Sequence, residues 1–553
     1  MRKMFKKRHN MDSMMIFDAT DFWIKMGISR EIVLRKYKEY LGEEKHIRDR
    51  EKSLSVLKPI LQSLQEKMRY HIEQNNTKIF AGELYKILDR CWAIYLDEKE
   101  ARTQISTNRI FSDDLLNSMR KNSVIELNII SAINVWLENC VLLQTKLEDE
   151  YQPDIESIDP VLCVELCLYG SLSRAVSMLA MSGKLQEDIG YYGIDIVPDD
   201  VLPIDVYKEH PVIYYNPIIN GNQSLLNAKY EDLANADNTD FGKGFLAEYG
   251  VSFLLFLRVM RSFQQNELVK GKYACIQLNR EQFNESVNFY LGEENANGFY
   301  NAFVLNQDRM KECLGKKDDI IYKTGVNKYR HELRPFIAFE DGSIYVAYAA
   351  LEQSMQIWCS YFLNGGVAYS DLEDQFSASQ EKRNKELSDL LIDRLRNILR
   401  KRYNSPDVDE INVDYKRIFG PKNEDYGDFD IVFYDRANKE LFLIEAKYFS
   451  DSLNNSGMIN DYVKLFKEKG YYYHCRRRYE LVLNESDKVK IYLNESDKVK
   501  TYLLFVSSKP IEMKLQDRDK YVTFLSLANI EDFIDNGFIS EDGKETIKPV
   551  KII

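Results

Sequence analysis

The sequence lacks the cysteine and histidine spacing of a zinc-binding or disulfide-bonded protein. Its eight cysteines and six histidines are scattered over 553 residues, and no two cysteines have the CxxC spacing of metal sites. Cys163 and Cys167 are four positions apart and have no matching second pair. We therefore expect reduced, buried thiols in a cytoplasmic protein.

Long hydrophobic runs are also missing. The two most apolar stretches, 124–143 and 245–260, are interrupted by polar residues or have only a short apolar core. Neither reaches the ~18–20 apolar residues that a membrane span requires. The basic N-terminus MRKMFKKRHN lacks the apolar segment of a signal peptide. We expect a soluble protein without membrane association.

No phosphate-binding loop of the form GxxxxGK[ST] occurs, so we expect any NTPase activity to reside in a separate subunit. The net charge of −12 argues against a protein that coats nucleic acid with its whole surface, but it does not exclude a local basic groove. The hydrophobic fraction of 44% is close to that of ordinary globular proteins and is sufficient for large cores.

The spacing of apolar residues predicts a multidomain protein with three regions. Residues 1–190 repeat apolar residues at three- and four-residue steps, which predicts a mainly α-helical domain for recognition or oligomerisation. Residues 191–370 predict a mixed α/β domain without an identifiable chemical motif. Residues 371–553 begin with an amphipathic helix and predict an α/β domain with a central mixed sheet.

Two local features of the sequence predict particular structures. The apolar segments 336–339 and 344–347 flank Asp341-Gly342, which predicts a β-hairpin; the nearby His331 is interpreted as structural. The decapeptide LNESDKVKIY at 483–492 is followed at once by LNESDKVKTY. Two copies are too few for a solenoid, so we expect a duplicated exposed loop or hairpin.

Two apolar strands near the C-terminus are bounded by charged residues. Asp430 begins the first strand, and Glu445-Ala446-Lys447 ends the second. Because side chains alternate along a strand, Glu445 and Lys447 share a face, and a hairpin brings Asp430 beside them. Buried charges are costly without partners, and two carboxylates favour a cation such as Mg²⁺. The amine can orient or deprotonate a water, and the Ala446 carbonyl can complete the coordination.

This arrangement resembles the signature of the PD-(D/E)XK nuclease superfamily. Asp430 and fourteen intervening residues precede Glu445-Ala446-Lys447, as the acid and the (D/E)XK triplet do in that family. The likeness covers roughly 375–510, about a quarter of the chain. It implies a restriction-endonuclease-like fold for this region and a metal site for Mg²⁺ or Mn²⁺.

The resemblance also implies a third metal ligand, a glutamate from the helix before the strands. Glu386 on the predicted helix 377–401 is the first choice for this role, and Glu381 is the reserve. Phe429 stands where the family pattern has proline. Asp428, two residues before Asp430, can share or replace its role.

Basic and aromatic residues near the motif predict a nucleic-acid groove, because arginine contacts phosphate and tyrosine stacks on bases. The residues predicted to bind nucleic acid are Arg476, Arg477, Arg478, Tyr472, Lys464, Arg400 and Arg402. Lys509, after a further apolar strand, can join the same rim.

The sequence thus predicts a Mg²⁺-dependent endonuclease that hydrolyses phosphodiester bonds, with DNA as the preferred substrate. An RNA-directed nuclease, a catalytically inert nuclease-fold sensor or scaffold, and a salt bridge that merely caps a strand remain alternatives. By analogy with the superfamily we expect a prokaryotic antiviral defence effector. It is expected to form a homo-oligomer or to act with a separate sensor or NTPase subunit.

Overall fold

A computed structural model describes most of the chain. The described residues are 46–47, 49–74, 76–108, 113–147, 158–182, 192–195, 205–208, 225, 233–265, 275–314, 330–364, 373–450, 455–509, 522–539, 543 and 546–552. The basic N-terminus and both predicted domain boundaries, at 190/191 and 370/371, lie outside these residues. The described part is a mixed α/β protein with mainly helical content.

Long helices dominate the N-terminal part, as the apolar spacing predicts. They are α1 (Arg50–Gln74), α2 (Thr77–Asn108), α3 (Asp113–Leu143) and α4 (Pro160–Ser182). Beside them lies a small antiparallel sheet of β1 (His46–Ile47), β2 (Tyr192–Asp195) and β3 (Asp205–Lys208). In α1 the buried Leu57, Leu61, Leu64 and Met68 form the stripe that faces the core.

One segment within α3, Glu126–Leu143, is long and apolar enough to cross a membrane by length and composition. However, 72% of it is buried inside the protein. Such burial is typical of the core helix of a soluble protein, where an apolar surface is covered by neighbouring helices rather than by lipid.

The middle part combines short strands and helices. The helices are α5 (Asp240–Tyr249), α6 (Phe253–Gln265), α7 (Arg280–Leu291), α8 (Glu293–Phe303), α9 (Gln307–Leu314) and α10 (Tyr348–Asn364). The strands β4 (Ile276–Leu278), β5 (Val304–Leu305), β6 (Phe336–Ala338) and β7 (Ile344–Val346) form one sheet in the order β4-β7-β6-β5. The predicted hairpin is confirmed, because β6 and β7 pair antiparallel around a turn with Gly342 at φ +84°.

The N-terminal helices and the middle part share one hydrophobic core. Ile337, Tyr345 and Ala350 of the middle part belong to the same buried cluster as the side chains of α1–α4. His331 lies in this core, fully buried, as its structural interpretation requires. Its two ring nitrogens lie 2.9 Å from the hydroxyl of Tyr85 and 2.8 Å from the amide oxygen of Asn134.

The C-terminal part contains the largest sheet among the described residues. Its helices are α11 (Glu373–Arg402), α12 (Tyr415–Phe419), α13 (Asn455–Phe466), α14 (Tyr471–Asn484), α15 (Ser486–Leu493) and α16 (Leu527–Asp535). Its strands are β8 (Val408–Asp414), β9 (Asp428–Asp435), β10 (Glu440–Lys447), β11 (Lys500–Ser507), β12 (Thr523–Ser526) and β13 (Lys551–Ile552). The strand order is β12-β11-β10-β9-β8, and β13 pairs with β11.

This sheet is mixed, and both of its faces are covered. Strands β8, β9 and β10 are antiparallel neighbours, whereas β11 lies parallel to β10 and β12 parallel to β11. Leu441 and Leu443 of β10 face a core formed with α12–α15. Phe442 and Ile444 face the opposite core, formed with α11 and α16. The near-continuous apolar run of β10 reflects burial on both sides.

The duplicated decapeptide does not form the expected loop or hairpin. In the first copy, residues 486–492 lie in helix α15, whereas the second copy passes through a loop and enters strand β11 at Lys500. Val489 of the first copy and Val499 of the second are both buried. The same residues therefore adopt different structures because each copy has different neighbours to pack against.

Candidate active site

The candidate site lies where strands β9 and β10 stop pairing. Their antiparallel register ends at Ile444↔Ile431. Beyond this pair β9 stays with β8 as far as Asp428, and β10 stays with β11 as far as Lys447. The backbone N–H of Ala446 donates instead to the carboxylate of Asp430, at 2.7 Å. A carboxylate thus takes the place of a strand carbonyl at the fork.

The structure brings three of the predicted site residues together at this fork. The Lys447 amine lies 3.0 Å from Oδ2 of Asp430 and 2.8 Å from Oε1 of Glu445. Glu445 and Lys447 share a face because they are two positions apart on β10, and the antiparallel register places Asp430 across from Glu445. The ammonium group bridges the two acids, as the alternation of side chains predicts.

Arg478 of helix α14 is a fourth member of this cluster. It forms an ion pair with the second carboxylate oxygen of Glu445, and both side chains are only 5% exposed. Its Nη1 donates to the carbonyl of Tyr426 at 2.8 Å. The next residue, Gly427, has φ +71°, and a Cβ there would lie 2.8 Å from Nη1 of Arg478. Glycine therefore allows the loop to approach the guanidinium closely.

This placement corrects the prediction that Arg478 lies on a nucleic-acid surface. Helical spacing offered a signal: Tyr472, Cys475, Tyr479 and Val482 recur at three- and four-residue steps, and Arg478 belongs to the same stripe. Cys475, Tyr479 and Val482 are fully buried. An arginine on such a stripe requires a buried partner, and Glu445 fulfils that requirement.

The charges of the cluster perturb one another. Burial, together with the neighbouring Glu445, raises the pKa of Asp430 above its ordinary value. For Lys447, burial alone would lower the pKa, but the two carboxylates outweigh it and the net pKa is raised. Lys447 is therefore a protonated amine at neutral pH. The cluster balances two acids against two cations in a place with little solvent.

Glu386 is not brought into this cluster. Its side chain is 51% exposed and pairs with Arg383 of the same helix at 3.1 Å. Helix α11 packs through Leu391 and Leu395 on the face of the sheet that carries Ile444, opposite to the face of Glu445. The reserve residue, Glu381, is also exposed.

The carboxylates at the fork are thus two rather than three. No group of three or more His, Cys, Asp and Glu side chains among the described residues could hold a metal ion. Asp428, the other alternative ligand, is exposed at the start of β9 and stands in register with Asp414. A metal ion at the fork would therefore have the carboxylates of Asp430 and Glu445 as its charged ligands. The Ala446 carbonyl remains the third ligand that the sequence predicts.

The remaining residues predicted on helix α14 have different surroundings. Arg476 pairs with Glu480 at 3.1 Å on the exposed side of the helix. Arg477 pairs with Glu424 of the loop before β9. Tyr472 packs between Phe466 and Phe524, with ring centroids 5.5 and 5.7 Å away. Tyr472 is therefore mainly a core residue rather than an open surface for a base.

The other predicted basic residues are dispersed. Lys464 and Arg402 are exposed, and Arg400 pairs with Asp409. Lys509 does not join a rim: its side chain is 1% exposed and its amine lies 2.7 Å from the carboxylate of Asp461. A buried lysine requires such a partner, and the pair fastens the end of β11 to α13.

The chain was compared with known families and proteins. No family model, curated protein or solved structure matches it.

Proposed function

We propose that the C-terminal part is a metal-dependent nuclease that hydrolyses phosphodiester bonds of nucleic acid, with DNA preferred. The observation that carries this proposal is the convergence of Asp430, Glu445 and Lys447 at the strand fork. These are the residues of the motif that resembles the PD-(D/E)XK signature. A central mixed sheet with helices on both faces also supports the restriction-endonuclease-like fold that the resemblance implies.

The donor chemistry of the fork fits a divalent cation. Asp430 and Glu445 offer the oxygen ligands that Mg²⁺ and Mn²⁺ prefer. Burial, and after it the neighbouring Glu445, raises the pKa of Asp430, so its ionised form is unfavourable there. A cation held by both carboxylates would favour that ionised form. When bound, the metal ion would lower the pKa of a coordinated water and polarise a phosphoryl oxygen.

The protein's own cations have distinct roles in this proposal. Because Lys447 is protonated at neutral pH, it donates hydrogen bonds to the attacking water or to the phosphate and stabilises negative charge there. It does not serve as the base in this state. Arg478 contacts neither the water nor the phosphate in this proposal. It orients Glu445 through their buried ion pair and is a positioning residue.

A second candidate function is a catalytically inert sensor or scaffold with the same fold. Two observations favour it: both oxygens of Glu445 are engaged, by Lys447 and by Arg478, and Glu386 is directed elsewhere. This candidate predicts no divalent-metal binding. An RNA-directed nuclease would use the same fork and differs only in substrate.

The test is cleavage by the full-length protein of plasmid, linear duplex, single-stranded DNA and RNA, with Mg²⁺ or with EDTA. Lys447→Met should lower cleavage about 10²-fold or more, because it removes the donor for the developing charge. Lys401→Met is the matched control, since Lys401 is paired with Glu531. Equal cleavage by wild type and Lys447→Met would contradict the mechanism.

Metal binding is measured separately, by calorimetric titration with Mn²⁺. Wild type should bind Mn²⁺, and Asp430→Asn should bind it at least tenfold more weakly because one of two charged ligands is lost. Neither metal binding nor cleavage in any arm would favour the inert sensor. The proposal also includes the cytoplasmic setting, the defence role, and recognition or oligomerisation by the preceding residues.

A further inference from the structure

Two tyrosines beside the fork remain open to solvent. Tyr471 and Tyr473, in the first turn of α14, are 38% and 39% exposed. The Lys447 amine lies 5.8 Å from the centroid of the Tyr471 ring. Phe449 supports the same ring edge-on, with the two ring centroids 5.9 Å apart. Tyr471 is therefore an anchored aromatic surface directly adjacent to the cluster.

An arginine links the second tyrosine to Tyr426, in the loop that Arg478 also contacts. The guanidinium of Arg477 lies 4.8 Å from the Tyr426 ring and 5.5 Å from the Tyr473 ring. Glu424 binds the same guanidinium and holds it in place. We call Tyr426, Tyr471, Tyr473 and Arg477 the aromatic rim. Contacts with cations and with a neighbouring ring position these tyrosines. The rings therefore do not need to be fully buried.

The three consecutive tyrosines of α14 show that this exposure is selective. Tyr472, the middle one, packs between Phe466 and Phe524. Its two neighbours lie on either side of this partly buried position and keep more than a third of their surface in water. Exposed aromatic rings that lie against cations next to a buried charged cluster, unlike isolated rings, indicate a binding surface.

We propose that the aromatic rim stacks unpaired bases, so that the site takes single-stranded nucleic acid. This inference rests on the proposed nuclease function, because it places the bases next to the phosphate that Lys447 contacts. Every unpaired base presents a π-face for stacking on tyrosine or arginine, whereas the bases of a duplex already stack on each other. Lys447 and Arg477 each lie against a tyrosine of the rim.

The experiment measures binding without metal, so that cleavage does not interfere. The full-length protein is titrated in EDTA with a fluorescein-labelled oligonucleotide as single-stranded DNA, as the same sequence in a duplex, and as single-stranded RNA. Wild type should bind both single strands at least tenfold more tightly than the duplex. Tyr471→Leu and Tyr473→Leu should each weaken single-strand binding about fivefold or more, the range seen for one stacked base.

Conservative and matched variants separate stacking from misfolding. Tyr471→Phe keeps the ring and should bind within twofold of wild type. Tyr70→Leu removes a tyrosine that is 60% exposed on α1 and should have no effect. Duplex binding as tight as single-strand binding, no binding by wild type, or unchanged affinity in both leucine variants would overturn the proposal.

The two proposals fail in different ways. Single-strand binding that depends on Tyr471 and Tyr473 in a protein that never cleaves would uphold the rim and remove the nuclease. Mg²⁺-dependent cleavage that is lost in Lys447→Met but unchanged in the tyrosine variants would uphold the nuclease and overturn the rim. Comparison of the DNA and RNA strands identifies which backbone the stacked bases belong to.

Discussion

At the scale of single residues, the least expected contact is the buried pair of Glu445 and Arg478. Removing a carboxylate from water costs several kcal/mol unless a partner compensates. Here the compensation is divided: Lys447 takes one oxygen and Arg478 the other. The two contacts hold both oxygens of Glu445 in fixed directions at the fork. They orient this carboxylate for the proposed metal site.

The loop glycine beside Arg478 offers a test of this packing. Gly427→Ala should destabilise the protein by about 2–3 kcal/mol, because it combines the cost of a left-handed backbone, ~1–2 kcal/mol, with a Cβ placed against Nη1 of Arg478. The free energy of unfolding of the C-terminal part in urea measures this change. The added Cβ would lie 2.8 Å from Nη1 of Arg478. The guanidinium cannot move away easily, because the Tyr426 carbonyl and Glu445 both hold it.

Gly537→Ala is the matched control for that substitution. Gly537 has φ +70°, close to the +71° of Gly427, but a Cβ there would meet nothing within 4 Å. It should show only the backbone cost. Should the two variants lose equal stability, the close approach of the loop to Arg478 would have no energetic role.

At the scale of elements, the sequence predicted the parts of the site that depend on local pattern. Alternating side chains and a short turn bring Asp430, Glu445 and Lys447 together, because the observed register of β9 and β10 ends at Ile444↔Ile431 and places Asp430 beside Glu445. The position of Glu386 could not be found in this way. Its helix was predicted, but which face of the sheet a helix covers depends on the whole fold.

The duplicated decapeptide also shows that local sequence pattern does not determine every element. Its intrinsic propensities are nearly identical in both copies, so they cannot explain a helix in one and a strand in the other. Tertiary context decides instead: the second copy leads into the apolar run Leu503–Val506, which pairs with β10. The first copy is followed by the polar second copy and cannot continue as a core strand.

The single difference between the copies gives a prediction about strand β11. Thr501 is fully buried and its hydroxyl has no hydrogen-bond partner among the described residues. Thr501→Val keeps the shape and removes this unsatisfied group, so it should raise the free energy of unfolding by about 1 kcal/mol. Urea denaturation of the purified variant provides the measurement.

The equivalent position in the first copy serves as the control. Ile491 is 77% exposed on helix α15, so Ile491→Thr should change stability by less than ~0.5 kcal/mol. A loss of stability in Thr501→Val would mean that the hydroxyl has a partner, and the environment assigned to this strand position would be wrong.

At the scale of the whole molecule, buried polar contacts join the N-terminal helices to the middle part. Glu138 of α3 accepts from the backbone N–H of His331 at 2.9 Å and pairs with Arg330 at 2.9 Å. Asn134 and Tyr85 hold the His331 ring from two helices. The network fixes the segment before β6 against α2 and α3, which explains why one core spans both parts.

Two members of this network should respond to pH in opposite directions. Burial raises the pKa of Glu138 to about 7, so the folded state retains a proton that the unfolded chain releases, and stability falls as pH rises towards 7. Burial, with Arg330 nearby, lowers the pKa of His331 to about 3. The unfolded chain then binds the extra proton below pH ~6.5, and stability falls as pH drops.

The Glu138 dependence covers pH 4.5 to about 7 and the His331 dependence pH 3 to 6.5. In the wild type the two therefore partly cancel between about pH 4.5 and 6.5. Glu138→Gln removes the first, so its unfolding midpoint should rise with pH more steeply than that of the wild type. His331→Gln removes the second, and its midpoint should fall with pH relative to the wild type. The slope of the unfolding free energy against pH should differ between each variant and the wild type by roughly 1 kcal/mol per pH unit, the size of one proton.

Thermal unfolding of the three proteins across this range tests the prediction. Parallel slopes would mean that neither group titrates differently in the folded and unfolded states. The buried network would then carry no pH-dependent coupling between the two parts.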